Sequence, residues 1–438
     1  MSNAVNVIQL TLHRELVGYL AGYLNGRNVL IFADEFSSNT HRSTFSLITH
    51  PAFPHSNKLL SEPWARNQRL HPTLSNLLPE GSLRELIAQG LKVHVDNEFH
   101  IFSYLGEDLP GAIVATPLDP EDVPDNVMSL ISGGRYSGDN SRDTKVVKFE
   151  NFLSNKQERE NRFSLAGVQM KFSMKEKDGR YNLSKSGDLG DWIIKTPSTK
   201  HKDVPVNEFS AMTLASLVGV DIPEIKLVDM SQLDNLPQIN LPDEAFAFAI
   251  KRFDRQPSLT SSKTNRVHME DFAQVLVKYP HEKYNSANYE QIGRVLYEFS
   301  GDALADVQQF GRRLLVNILL ANGDAHLKNW SLLYEDKVTP RLSPAYDIVT
   351  TSVYIDGERN FALNLGKTKD WYAVSFENFK AWSERSGIPW RAIKPHLEDV
   401  MDKARAQWHS AIADLPMNEA HKLKLIEHWK NLNQDFKL

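Results

Sequence analysis

What most narrows the fold of this chain is a change of hydrophobic period near residue 268. Before it, apolar and β-branched residues come in short runs of roughly four to eight, parted by turn formers, which is the pattern of strands. After it, apolar residues recur at helical spacing almost to the end. Sheet gathered first and helix gathered last is the mark of an α+β fold. At 438 residues, 41% of them apolar, the chain has room for two or three domains and can bury a sizeable core.

The opening reads as an antiparallel meander of strands at 5–12, 16–21 and 28–33. A helix is expected at 82–90, capped by Ser82 and ended by Gly90, then a strand pair at 99–105 and 112–116. Residues 118–145, rich in Pro, Gly, Ser, Asp and Asn, read as a linker or excursion loop. From 146, VVKFENFL, RFSLAGVQMKFSM and DWIIKTP look like strands, with a turn at Asp178-Gly179 between the last two. A helix at 207–218, after Pro205 and before Gly219, and strands at 224–229 and 245–253 complete a small antiparallel lobe. Helices are then expected at 269–277, 288–299, 303–321, 375–386, 390–410 and 418–432, interrupted by a hairpin at 330–349. The division is 1–145, 146–255 and 256–438.

Composition excludes several chemistries. Cysteine is absent, which removes disulfides, cysteine-ligated zinc, iron–sulfur clusters and thiol nucleophiles. A formal net charge of −5 carries no whole-chain signature of direct nucleic-acid binding. No apolar run approaches the roughly 18 residues of a membrane span, and the N-terminus lacks the pattern of a signal peptide. The expectation is a soluble, cytoplasmic protein.

The densest polar group is Asn322-Gly323-Asp324-Ala325-His326-Leu327-Lys328-Asn329, between the apolar run RRLLVNILLA and the strand-like WSLLY. Alone it could be an ordinary turn, since Asp and Asn favour turns through local hydrogen bonds. Asp347, past the hairpin, changes its meaning. An Asp, an Asn five residues on, a hairpin and another Asp is the layout of a kinase catalytic loop and metal loop. Asp324 would orient or deprotonate the attacking hydroxyl, and Lys328 would neutralise charge on the transferred group. Asn329 and Asp347 would hold magnesium, a hard cation that takes oxygen ligands.

A kinase also needs a strand lysine and a helix carboxylate to hold nucleotide phosphates. Lys195, in the apolar strand WIIKT, and Glu208, thirteen residues on, fit that demand. The segment Phe163-Ser164-Leu165-Ala166-Gly167-Val168-Gln169-Met170-Lys171 has one glycine and no Walker pattern, yet its small residues would let backbone amides approach phosphate. GGRYSG at 133–138 is a weaker candidate for the same task. Lys251-Arg252-Phe253 ends the last strand of the small lobe, where a hinge would bind adenine through backbone groups with Phe253 as an apolar wall.

Taken in order, FSLAGVQMKFSM, WIIKTPS, NEFSAMTLASLVGVDIPE, KRFDR, HMEDFAQ, NILLANGDAHLKNWSLLY and LSPAYDIV resemble the HipA family, the serine/threonine kinase toxins of bacterial HipBA toxin–antitoxin pairs. Asn76-Leu77-Leu78-Pro79-Glu80 is similar to that family's N-terminal subdomain, so the resemblance covers nearly the full chain. It implies a two-lobed, phosphatidylinositol-kinase-related fold with an N-terminal β-rich subdomain, a β-rich small lobe and an all-helical C-terminal lobe.

The resemblance also implies roles. Lys195 would contact ATP, with Glu208 and His326 counted among the nucleotide-site residues. Ala166, Gly167, Val168, Gln169, Met170 and Lys171 would form the phosphate loop, and Lys251, Arg252 and Phe253 the hinge. Asp324 would be the base, and Asn329 and Asp347 the magnesium ligands. Ser164 would be the autophosphorylation site that silences the kinase. The substrate would be an aminoacyl-tRNA synthetase, glutamyl-tRNA synthetase in the family. The partner would be a HipB-like helix-turn-helix dimer that carries the complex to operator DNA, with Lys380, Arg385, Arg391 and Lys394 as candidates for added phosphate contacts. Lys251 departs from the pattern, where glutamate is common, and Val168 and Met170 are local variants. Two other readings stay open: a small-molecule kinase of aminoglycoside-phosphotransferase type, and a non-catalytic co-repressor.

Overall fold

The structure is a computed structural model that describes residues 3–106, 109–132, 144–149, 169–183, 189–236, 240–257 and 264–438. The opening meander forms as expected from β1 (Asn3–Leu12), β2 (Glu15–Tyr23) and β3 (Arg27–Phe32). With β4 (Trp64–Asn67), β5 (Ile113–Leu118) and β6 (Thr144–Val146) they make a sheet of order β4-β3-β2-β1-β5, β6 pairing β1 in parallel. The two-residue alternation of β1 serves two cores. Val5 and Val7 pack with Val127 and Ile131, whereas Ile8, Leu10 and Leu12 belong with Phe45, Trp64 and Phe102.

Three expectations in this region need correction. Residues 99–105 are not a strand: Glu98–Leu105 is a helix, and Phe99 and Phe102, three apart, lie on its buried face. A short apolar run does not by itself separate strand from buried helix. The preceding helix is Gly81–Leu91, with Glu80 rather than Ser82 at its N-cap position, and it runs through Gly90 to a left-handed Lys92. Inside 118–145 lies the helix Asp125–Ser132, whose Val127 and Ile131 close one face of the sheet.

A second sheet follows, made of β7 (Lys171–Lys177), β8 (Arg180–Leu183), β9 (Trp192–Lys195), β10 (Ile225–Asp229), β11 (Leu233–Asp234) and β12 (Phe246–Lys251). Its order is β10-β12-β9-β7-β8-β11. Asp178-Gly179 turns β7 into β8, a strand the sequence reading did not separate, and both residues take positive φ there. The helix Val204–Leu217 buries Ala211, Met212, Leu214 and Ala215 in the large core beside Phe248.

Beyond a small hairpin of β13 (Arg255–Pro257) and β14 (Thr264–Arg266), helices dominate. They are Tyr289–Phe299, Ala303–Leu319, Phe376–Arg385, Trp390–Asp414 and Glu419–Asn431. The expected helix at 269–277 is mostly something else. His268–Asp271 is a strand, β15, and only Phe272–Val275 is helical, capped by the Asp271 carboxylate. β15 pairs β16 (Ser331–Tyr334), which pairs β17 (Arg341–Leu342), so the expected hairpin becomes a three-stranded sheet. β18 (Asn360–Leu365) and β19 (Thr368–Asp370) add a hairpin not foreseen. Among the described residues no helix is long and apolar enough to cross a membrane.

The N-terminal region docks directly on the helical lobe. The Glu270 carboxylate accepts from Ser46 Oγ at 2.8 Å and the Leu47 N–H at 2.7 Å. Gln274 donates to the Thr73 carbonyl at 2.7 Å, and Asn76 to the Lys278 carbonyl at 2.7 Å. Buried polar groups paired this way hold the segment containing Asn76 and Glu80 against the octet loop.

Candidate active site

The site begins with strand register. β7 and β9 pair with Lys171 opposite Lys195, so two ammonium groups leave neighbouring strands side by side. Lys195 is buried and ion-paired to Glu208, on the helix behind it, and to Asp347. Lys171 reaches the other Asp347 oxygen at 3.0 Å. Burial alone would lower the Lys195 ammonium, but the Asp347 and Glu208 carboxylates outweigh it and raise it. Burial also works against an ionised Asp347; the two lysines overcome it and hold that carboxyl well below the usual range. Glu208 goes the other way, pushed up first by burial. Asp347 adopts φ +54°, a left-handed conformation tolerated better by Asp than by most residues.

The octet loop starts where the helix Ala303–Leu319 runs out. Ala321 has φ +49°, and Asn322 Nδ2 donates to Asn317 Oδ1 at 2.7 Å, tying the loop to that helix. Asn322 Oδ1 accepts from the Asp324 N–H at 3.0 Å. The Asp324 side chain remains half exposed, and its Oδ1 accepts from Tyr284 Oη at 2.6 Å. Asn329 Nδ2 donates to the Asp324 carbonyl at 2.8 Å, and among the described residues nothing donates to the Asn329 amide oxygen.

Asn329 and Asp347 line one cavity of about 10 Å³, together with Arg313, Asn317 and Tyr346. Asn329 carries an amide oxygen and Asp347 a carboxylate, the kinds of oxygen donor that magnesium takes. Among the described residues no three His, Asp or Glu side chains cluster as a metal site. A two-ligand site completed by phosphate oxygens suits magnesium, which rarely uses an all-protein cage.

The other expected residues fall as follows. The Lys328 ammonium faces the N-terminal region: it pairs with Glu80 at 2.9 Å, donates to the Asn76 carbonyl at 3.0 Å and lies 3.8 Å from Asp271. His326 is buried, its ring edge-on to Tyr284 at 5.0 Å, and burial pushes the imidazole down to about 4. Its Nδ1 has no hydrogen-bond partner among the described residues. Met170 is buried, with its carbonyl accepting from the Thr196 N–H at 3.0 Å, and Gln169 Nε2 is a buried donor without a partner among the described residues. Ser164, Ala166, Gly167 and Val168, with the 133–138 run, lie outside the described residues.

At the strand end, the Lys251 N–H donates to the Glu224 carbonyl and the Arg252 N–H to the Asp191 carbonyl, both at 2.9 Å. The Arg252 guanidinium grips Asp254 at 2.9 and 2.7 Å and Ser173 at 2.9 Å, so its side chain braces the bend. Phe253 stacks obliquely on Tyr346, ring centres 5.6 Å apart, beside Asp347. Lys171, expected in the phosphate loop, brings its ammonium to Asp347, and two groups not foreseen from the sequence, Tyr284 and Glu80, join the site.

With this geometry in view, comparisons decide the family. The HipA-like C-terminal domain matches residues 163–408, more than half of the chain, and the HipA N-terminal domain matches residues 8–116. The chain belongs to the HipA family. It is 38% identical over 417 residues, 94% of each chain, to Y4dM of Sinorhizobium fredii, a protein named for an inferred kinase activity. It is 22% identical over 394 residues to the serine/threonine-protein kinase toxin HipA of Shewanella oneidensis, covering 86% of this chain and 85% of that one. Among solved structures, the Shewanella oneidensis HipA, HipB and operator DNA complex matches with a TM-score of 0.70 and 19% identity over 97% of both chains. That likeness shows the fold: this HipA-family chain has the mixed, two-lobed architecture, with Lys195 and Glu208 in the sheet-bearing lobe and Asp324 in the helical one.

Proposed function

We propose that this HipA-family chain is an ATP- and magnesium-dependent serine/threonine protein kinase, the toxin of a HipBA-type pair. The observation that carries the reading is the meeting of Lys195, Glu208 and Asp347 beside a cavity that Asp347 shares with Asn329. Lys195 and Lys171 supply two ammonium groups for nucleotide phosphates. Asp347, now paired with both lysines, and Asn329 are the residues that would hold magnesium. There magnesium would supply positive charge to offset the negative charge that develops on the phosphates during transfer. Asp324, exposed at its carboxylate, accepts the proton of the attacking hydroxyl. Lys328, committed to Glu80, shapes the loop and sets the local charge.

The acceptor we propose is an aminoacyl-tRNA synthetase, glutamyl-tRNA synthetase first, whose modification would halt charging and translation. Ser164 is the proposed self-phosphorylation site, and a HipB-like helix-turn-helix dimer the proposed partner. Operator DNA would be reached mainly through that dimer. Two of the basic side chains considered for extra phosphate contacts have acidic neighbours, Lys394 with Glu398 at 3.3 Å and Arg385 with Glu290 at 3.8 Å.

Transfer of radiolabel from magnesium-ATP to purified glutamyl-tRNA synthetase, followed by a charging assay, tests the substrate. Label on the synthetase and lost charging are expected; ATP turnover that labels no protein at all would overturn the protein-kinase reading. Asn329→Ala and Asp347→Ala are each expected to lower transfer by about a hundredfold or more. In a gel shift, the chain alone is expected to leave operator DNA unshifted at ordinary salt and to supershift the antitoxin complex.

A further inference from the structure

The base of a phosphoryl transfer must present one oxygen to the acceptor hydroxyl in a fixed direction. Asp324 stands on a loop with its carboxylate half exposed, where a free side chain would rotate. Among the described residues one side chain donates a hydrogen bond to that carboxylate: Tyr284, at 2.6 Å, through Oδ1. His326 Nε2 is 4.0 Å away, beyond hydrogen-bond reach. Tyr284 is 38% exposed, and its phenol, protonated near neutrality in any case, is the donor; partial burial first and the Asp324 charge second push it further up.

The loop that carries Tyr284 is held from two sides. On one side, Lys369 from β19 donates to Asn285 Oδ1 at 3.1 Å and to the Ala362 carbonyl at 3.0 Å. On the other, the neighbouring Lys283 pairs with Glu80 of the N-terminal region at 2.7 Å, while the second Glu80 oxygen takes Lys328 of the octet loop at 2.9 Å. One carboxylate therefore ties the Tyr284 loop to the loop it acts upon. Burial opposes ionisation of Glu80, but Lys328 and Lys283 outweigh it and hold the carboxyl at about 2.

We infer that Tyr284 is a positioning residue for Asp324, pinning Oδ1 so that Oδ2 faces the acceptor hydroxyl, and that Glu80 of the N-terminal region locks Tyr284 in register. This deepens the kinase reading and rests on Asp324 as the base. It also gives the N-terminal region a part in the chemistry.

The test uses the full chain with magnesium-ATP, following label into the chain itself and into myelin basic protein as a probe acceptor. Tyr284→Phe keeps the ring against His326 and removes only the hydroxyl. It is expected to lower kcat by about tenfold or more, the loss of a hydrogen bond to a charged group, with KM for ATP unchanged. Glu80→Gln is expected to lower kcat in the same way but less, and to add little in the Tyr284→Phe background. Unchanged kcat in Tyr284→Phe, with Asp324→Asn inactive, overturns the role of Tyr284 while leaving the base in place. A rise in kcat overturns it too, because Tyr284 would then be blocking the acceptor. Wild-type transfer by Asp324→Asn would remove the kinase-base reading itself.

Discussion

The Glu80 carboxylate meets the Lys328 ammonium at 2.9 Å, joining a loop of the N-terminal region to the loop that bears Asp324. The Asn76 carbonyl takes a second Lys328 proton at 3.0 Å. The N-terminal region is thereby part of the wall of the candidate site. A double-mutant cycle on Glu80→Gln and Lys328→Met, read by urea unfolding, is expected to give a coupling of about 1 kcal/mol or less, because Glu80 is a third exposed and solvent screens the pair. Zero coupling would mean that the contact carries no free energy.

Lys195 is the cation shared by Glu208 and Asp347, with Lys171 on the other Asp347 oxygen. Lys195→Met leaves Glu208 buried without its partner, and losses of about 3 kcal/mol or more are typical of such breaks. The sign with pH follows from Glu208, whose carboxyl is already raised by burial. Without Lys195 the folded state holds that proton more firmly than the unfolded chain, so stability falls as pH rises above the ordinary carboxylate range. The variant is expected to be further below wild type at pH 8 than at pH 5, as measured by unfolding midpoints.

How much of this was legible depends on how local each feature is. β1, β2 and β3 could be read because their alternation survives burial on both faces, with Val5 and Val7 in one core and Ile8 and Leu10 in the other. The strand expected at 99–105 is a helix, because seven residues are too few to distinguish helical from strand spacing. The octet could be read because Asp324 and Asn329 are five apart on one loop. Glu80 could not: it meets Lys283 across 203 positions, and that distance leaves no trace in spacing. Tyr284 was hidden for the same reason, its partner Asp324 lying 40 positions on.

His268 joins the N-terminal region to β15 through its Nε2, 3.0 Å from the Phe45 carbonyl. Burial pushes it down to about 3, with His13 lowering it further and Asp254 acting the other way. The unfolded chain takes up this proton at an ordinary histidine pKa, so its contribution is present near neutrality and is lost as pH falls below about 6.5. His268→Gln is expected to flatten stability against pH between about 6.5 and 4, by up to about 1.4 kcal/mol per unit. An unchanged slope would contradict it.

If Ser164 is the self-phosphorylation site, intact mass and peptide mapping of active protein should find one phosphate there and none at 136–144. A phosphate adds about −1.5 to −2 charges, which repel the phosphates of ATP, so the modified form should bind nucleotide weakly. Phosphate at 136–144 with Ser164 bare would contradict this.

In the proposed function Asp324 is the proton acceptor in transfer from magnesium-ATP. The direct measurement compares wild type and Asp324→Asn for nucleotide binding and for phosphate incorporation under single-turnover conditions. The expected result is unchanged ATP affinity with transfer lowered by about a hundredfold or more. Wild-type transfer by Asp324→Asn would contradict the account.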